Sequence, residues 1–192
     1  MAWTTWVIIV AWAAFILYWI FSAFGVKKDI TAGNPWVRWG FLRLVIAIAL
    51  AIIISQNLLG IRHIAGDGLI FWHNPALNLV GAIFTAAGVA FAIWARWHLG
   101  RNWSPHPAIK EHHELVTSGP YRFVRHPIYT GMLLAALGSA FAIGWPWVIV
   151  FIIVSIVFVW RIHTEERFMM QLFPDQYPAY RARTKALIPF IW

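Results

Sequence analysis

An all-α integral membrane protein is predicted, with five transmembrane helices, the last two a short helical hairpin, and a C-terminal interfacial helix or tail. Three observations predict it. Hydrophobic residues fill 61% of the 192 positions and charged ones only 11%, against about 25% charged in a soluble domain. The apolar residues gather in runs long enough to cross a ~30 Å hydrocarbon layer. Fourteen tryptophans exceed the needs of one core and suit two interfacial belts. The net charge of +8 then points to anionic headgroups, which attract juxtamembrane Lys and Arg, and not to nucleic acid. The chain has no cysteine, which excludes disulfides, thiolate metal sites and cysteine nucleophiles.

Trp3 to Phe24 is apolar and uncharged. It has no basic n-region and exceeds a signal-peptide h-region, so it reads as a retained span. Gly25-Val26-Lys27-Lys28-Asp29 ends it, and Gly33-Asn34-Pro35 marks a loop. Phe41 to Leu59 is the second span, followed by a short polar loop to Asn74. Pro75 opens a third helix running to about Trp97, with Gly81, Ala82, Thr85, Ala86 and Gly88 permitting close helix contacts. The interval from Gly100 to Pro127 is loop-like. Met132 to Trp160 as one helix would run about 44 Å, and it contains Gly144-Trp145-Pro146. Two helices, about 131–143 and 146–161, are therefore expected. That choice puts Lys27, Lys28 and Arg38, then Arg96 to Arg125, then Arg161 to Lys185 on one side, leaving only Arg62 opposite. It is the positive-inside pattern, with the N-terminus outside and the C-terminus cytosolic. From Arg161 the helix is expected to continue as RIHTEERFMMQLF until Pro174, and YPAYRARTKALIPFIW reads as an interfacial anchor. No repeat or linker divides the chain: residues 1–192 form one membrane domain, with two spans in 1–60 and a core in 75–192.

Two polar blocks stand out. Leu115 to Gly131, LVTSGPYRFVRHPIYTG, is the long polar interval between apolar segments, and Arg161 to Pro189 is the other. Gly119-Pro120 signals a turn, and Pro127 forbids a regular helix through His126. Arg125 and His126 are thus expected on irregular backbone beside a helix starting near Tyr129, and the two blocks are expected to make one site at a membrane surface. A metal site is not expected. Of eight histidines only His112 and His113 are adjacent, flanked by Glu111 and Glu114, and EHHE reads as a solvated loop. Ser104 and Ser118 lack a glycine-framed nucleophile elbow. Group transfer from a soluble charged donor to a lipid-borne acceptor fits best. It needs aromatic and backbone groups, an acid for an amino group and a cation for a carboxylate. Methyl transfer needs no metal and depends on proximity and alignment. Tyr121, His126 and Tyr129 in one block, and Arg161, Glu165 and Glu166 in the other, supply these parts. The bland reading of Arg161 and Glu165, four residues apart, is an interfacial ion pair anchoring the last helix.

At these residues the chain resembles the isoprenylcysteine carboxyl methyltransferase family. The match is Leu115-Val116-x-x-Gly119-Pro120-Tyr121-x-x-x-Arg125-His126-Pro127-x-Tyr129-x-Gly131. After a helical hairpin come Arg161, Glu165-Glu166, Phe173, Tyr177, Tyr180 and Ile188-Pro189. The likeness covers about 75 residues and rests on the whole series at this separation. It implies a five-helix core with S-adenosylmethionine at the cytosolic side and a lipid or lipidated acceptor in the bilayer. It implies that Leu115, Val116, Gly119, Tyr121, Arg125, His126, Pro127, Tyr129 and Gly131 belong to the cofactor pocket, with Glu166 beside it. Arg161 and Glu165 would be catalytic, facing the acceptor, with Arg161 orienting a carboxylate. With two helices before the shared core, the chain looks like a short prokaryotic member of an inner membrane. Phospholipid N-methyltransferases, with an amine acceptor, are the alternative. NADPH-dependent membrane sterol reductases and a non-enzymatic membrane scaffold are the readings of other classes. The sequence leaves the acceptor and the oligomeric state open.

Overall fold

The structure, a computed structural model, describes residues 3–23, 74–103 and 114–192. The expected second span, His63, His73, Ser104 and the EHH run of 111–113 lie outside the described residues. Five α-helices are seen among them: α1 (Trp3–Ala23), α2 (Pro75–Leu99), α3 (Pro127–Ile143), α4 (Trp145–Leu172) and α5 (Tyr177–Arg183). The fold is all-helical, and α1, α2 and α4 are long and apolar enough to cross a membrane, with α3 a shorter apolar helix.

Local chemistry sets each boundary. Asn74 caps α2, its Oδ1 accepting from Ala76 N at 2.9 Å and Leu77 N at 3.3 Å, while Pro75 occupies a position whose N–H would be unpaired anyway. The same logic starts α3 at Pro127, ahead of the expected start near Tyr129: a proline that forbids helix before it is welcome as the first helical residue. Between α3 and α4 stands Gly144 alone, at φ 127° and ψ −156°, a region that residues with a Cβ avoid. The expected hairpin is there, but its second arm is not short. α4 runs 28 residues, without a break between the apolar stretch and the RIHTEERFMMQL segment, and stops at Phe173, before Pro174.

The tightest packing joins α2 to α3, which run antiparallel. A Cβ added at Gly88 would lie 2.5 Å from both Ala135 N and Gly131 O, and one at Gly131 would lie 2.6 Å from Ala92 N and Gly88 O. The backbones thus touch, as small-residue stripes allow in lipid, where packing and not water exclusion drives association. Hydroxyls sew the same seam. Thr85 Oγ1 donates to Gly81 O at 2.8 Å and lies 3.2 Å from Ser139 Oγ, which accepts from Trp12 Nε1 of α1 at 3.0 Å. The indole N–H and both hydroxyls are satisfied within the apolar bundle, as the hydrocarbon demands.

α1 and α2 run the same way. Trp12 is level with Ser139, and ten residues on, Ser22 O accepts from Arg96 NH2 at 2.7 Å. Arg96 is buried, donates also to Gly100 O at 2.8 Å and sits 4.5 Å from the Trp103 ring centroid. It ties the ends of α1 and α2 together at the end of the bundle where α3 begins and α4 finishes.

Candidate active site

At that end residues 114–126 lead into α3. Residues 119–122 make a short 3-10 turn. Gly119 has φ 58°, and a Cβ there would fall 2.5 Å from the His98 ring, so both the turn and the neighbour call for glycine. His98, from the last turn of α2, lies 2.9 Å from Ser118 Oγ through Nε2 and stacks with Tyr121 at 6.5 Å. Tyr121 is buried, and its carbonyl accepts from Tyr180 OH of α5 at 2.7 Å. Burial pushes the phenols of Tyr121, Tyr177 and Tyr180 well above their usual range, so all three remain donors at any physiological pH.

The segment after α5 returns alongside the loop. Val124 and Lys185 form a parallel bridge. Arg125 N donates to Lys185 O at 2.8 Å, His126 N to Ala186 O at 3.0 Å, and Thr130 Oγ1 to Leu187 O at 2.7 Å. This part of the tail, read both as an interfacial anchor and as the end of the second polar block, thus helps to build the site. These bonds use the backbone that Pro127 keeps out of the helix, and they fix where Arg125 and His126 point.

The two polar blocks meet in one cluster. Arg125 Nε donates to Glu166 Oε1 at 2.6 Å, and Arg181 Nε lies 3.2 Å from Glu166 Oε2. Arg125 NH1 donates to the carbonyl of Thr184 as well. Tyr129 OH donates to Glu165 Oε1 at 2.5 Å, and Arg161 donates to the same oxygen through Nε at 3.2 Å and NH2 at 2.9 Å. His126 lies between the two acids, with Nδ1 3.6 Å from Glu165 Oε2 and Nε2 3.4 Å from Glu166 Oε1. Its ring is parallel to Tyr129 within 3°, and Tyr129 in turn stacks on Phe158 at 4.3 Å. His126 Nε2 is buried and makes no hydrogen bond with any described residue. A buried nitrogen in that state is one that a bound group can satisfy.

Of the expected residues, Arg125, His126, Tyr129, Arg161, Glu165 and Glu166 form this cluster. Tyr121 adjoins it through Tyr180. Pro127 is fully buried as the first residue of α3. Gly119 sits against His98, and Gly131 is turned to α2 at the helix crossing. Leu115 and Val116 are half-buried, Val116 against the apolar core. Two residues were not anticipated. Arg181 was legible in principle, since it lies four positions after Tyr177 and so shares its helix face. His98 carried no signal, because its contact with Ser118 spans 20 positions of sequence.

An all-helical membrane protein with an acid–arginine–aromatic cluster gathered at one end of its helices is the class that fold and site define. The chain belongs to the phospholipid methyltransferase family, whose profile matches residues 77–176. It is similar to protein-S-isoprenylcysteine O-methyltransferase B of Arabidopsis thaliana, 37% identical over 87 residues, 43% of each chain. It is also similar to the protein-S-isoprenylcysteine O-methyltransferase of Schizosaccharomyces pombe, 30% identical over 128 residues, 60% of this chain and 53% of that one. The cobalt-zinc-cadmium resistance protein CzcN of Cupriavidus metallidurans is 27% identical over 157 residues, 79% of this chain and 63% of its own. The chain spans about half the length of the isoprenylcysteine methyltransferases it matches.

Proposed function

We propose that this protein is an S-adenosylmethionine-dependent methyltransferase that modifies a lipid-borne acceptor at the cytosolic face of a prokaryotic inner membrane, and that it methylates a carboxylate oxygen. We propose five spans, with the N-terminus outside. The observation that carries the reading is the meeting of Arg125, His126 and Tyr129 with Arg161, Glu165 and Glu166 in one cluster.

S-adenosylmethionine, when bound, supplies an electrophilic methyl group. Its amino acid part needs an acid and a cation, and its base an aromatic face; the cluster has all three. The buried Nε2 of His126 has a 3.4 Å contact with Glu166 Oε1 but no hydrogen bond to a described residue, and a bound polar group can supply one, so the residues fit the group. His126, Tyr129, Tyr121 and Glu166 would hold it, within the walls made by Leu115, Val116, Gly119, Arg125, Pro127 and Gly131. Arg125 and Arg181 hold Glu166 in place from both oxygens.

A carboxylate acceptor is already nucleophilic at neutral pH and needs orientation, not a base. Arg161 can give it, with Glu165 setting the plane of the guanidinium. Glu165 Oε1 accepts from both Tyr129 and Arg161, which suits a fixed anionic support better than a base. The second reading, N-methylation of a phospholipid amine, is favoured by the family profile. It would require Glu165 to take a proton from the ammonium, with Arg161 opposing the approach. The test is methyl transfer in proteoliposomes to prenylcysteine analogues and to phosphatidylethanolamine, for wild type, Arg161→Lys and Glu165→Gln. Esterification of the thioether acid, impaired in Arg161→Lys because a point charge lacks the planar fork, is the expected result. Methylation of the amine alone, abolished in Glu165→Gln but not in Arg161→Lys, would give the reaction to the phospholipid.

A further inference from the structure

Residues 187–192 close into a hydrogen-bonded turn. Leu187 N and Ile188 N donate to Trp192 O at 2.8 and 2.7 Å, while Ile191 N and Trp192 N donate back to Ile188 O at 3.1 and 3.2 Å. Phe190 sits at φ 68° to complete it, a conformation that a bulky residue adopts only where its surroundings impose it. The turn shows large apolar side chains outward, with Phe190 95% and Ile191 73% exposed, flanked by Ile188 and Trp192. With much of its backbone paired internally, such a turn can enter the boundary of a bilayer without stranding those polar groups.

Charge accompanies it. Arg183 and Lys185 are exposed, and neither has an acidic partner among the described residues. Arg122, two residues before the bridged Val124, is also exposed, with its guanidinium over the Phe123 ring at 4.7 Å. From Tyr177 to Trp192 there is no Asp or Glu. Cations next to an apolar, backbone-satisfied wedge match the chemistry of anionic headgroups over acyl chains.

We propose that the 188–192 turn, with Arg183 and Lys185, is a docking surface for an anionic lipid bilayer, and that docking holds residues 185–187 against the loop at 124–126. The two halves are linked by one covalent fact: the segment that pairs with Arg125 and His126 begins at the cation Lys185, two residues after Arg183, and runs straight into the wedge. Anionic lipid therefore orders the backbone from which Arg125 and His126 project, whatever ligand the cluster takes.

The chain without cysteine allows a direct test. The Phe190→Cys variant carries an environment-sensitive dye and is reconstituted in phosphatidylcholine alone or with phosphatidylglycerol. In parallel, unlabelled protein in the same two lipids is followed by amide hydrogen exchange over residues 124–130. Phosphatidylglycerol is expected to move the dye into a less polar setting. It is expected to slow exchange at Arg125 and His126 on the order of tenfold, given two cations near an anionic surface. Arg183→Gln/Lys185→Gln is expected to lose both increments while matching the parent in phosphatidylcholine. Identical dye emission and exchange in the two lipids would overturn the proposal, as would increments that survive in the double variant. Neither readout uses methyl transfer, so failure here leaves the proposed reaction standing and failure of that reaction leaves this surface standing.

Discussion

Tyr129 and Glu165 are joined by a 2.5 Å hydrogen bond between α3 and α4, across 36 positions of sequence. The phenol ring is held independently, between the His126 imidazole and Phe158. Hydroxyl and ring can therefore be separated by mutation.

Tyr129→Phe is expected to fold normally and to bind S-adenosylhomocysteine about one to two decades more weakly, the worth of a hydrogen bond to a charged group. His126→Ala is expected to lose a similar amount. Isothermal titration on detergent-purified protein gives both constants. Wild-type affinity in both folded variants would take this face of α3 out of the cofactor pocket.

Glu166 is buried, accepts from Arg125 on one oxygen and forms an ion pair with Arg181 through the other. Glu166→Gln keeps the shape and removes the charge, leaving two guanidinium groups facing an amide. A stability loss of roughly 1.5–3 kcal/mol is expected, together with faster proteolysis between α5 and residue 187. The midpoint of thermal unfolding in detergent reports it, and a midpoint equal to wild type would mean that the ion pairs do not hold the tail down.

At the helix crossing, Gly131→Val puts new atoms where Ala92 N and Gly88 O already lie. Backbone cannot give way as a side chain tip can, so α2 and α3 must separate. Overpacking of this kind costs about 1–3 kcal/mol, more where both neighbours are main chain. Unchanged unfolding of Gly131→Val would show that the two helices are not in backbone contact.

Sidedness can be read with single cysteines at Ala2, Arg122 and Asp175 and an impermeant maleimide applied to intact cells. Arg122 and Asp175 are exposed, and the backbone bonds from Arg125 and His126 to residues 185 and 186 put loop and tail at one end of the bundle. Labelling at Ala2 alone is expected. Labelling at Arg122 and Asp175 without Ala2 would invert the orientation, and labelling at only one of those two would contradict the hairpin.

Boundaries with a local cause were legible in the sequence: Pro75, Pro127 and Gly144 each act within a residue or two of themselves. Sites that depend on the meeting of distant segments were legible only in part. Arg161 and Glu165 could be paired from helix spacing, and Arg125 and Glu166 brought to one site from the resemblance. The register in which residues 185–187 return to the loop could not be read, because two of its three hydrogen bonds are between backbone groups and leave no trace in side-chain identity. The length of α4 was legible too: composition changes at Arg161, but the segment from there reads as a continuing helix up to Pro174, and α4 runs to Leu172.

Gly144 gives the hairpin a counting property. Since α3 and α4 are joined by that single residue, the position of Glu165 around α4 is a fixed number of helical steps from the turn. One residue added or removed within α4 between Gly144 and Glu165 turns everything beyond it by about 100°. That swings Arg161, Glu165 and Glu166 away from Tyr129 and Arg125, while the apolar half keeps its composition. Seven residues would restore the facing to within about 20° but carry the acids roughly 10 Å along the axis. A change of length within α4 ahead of Arg161 is thus expected to dismantle the cluster, whereas one in a loop away from this hairpin is not. The distance from Gly144 to Glu165 works as a ruler, by which one arm measures out where its acids must stand beside the other.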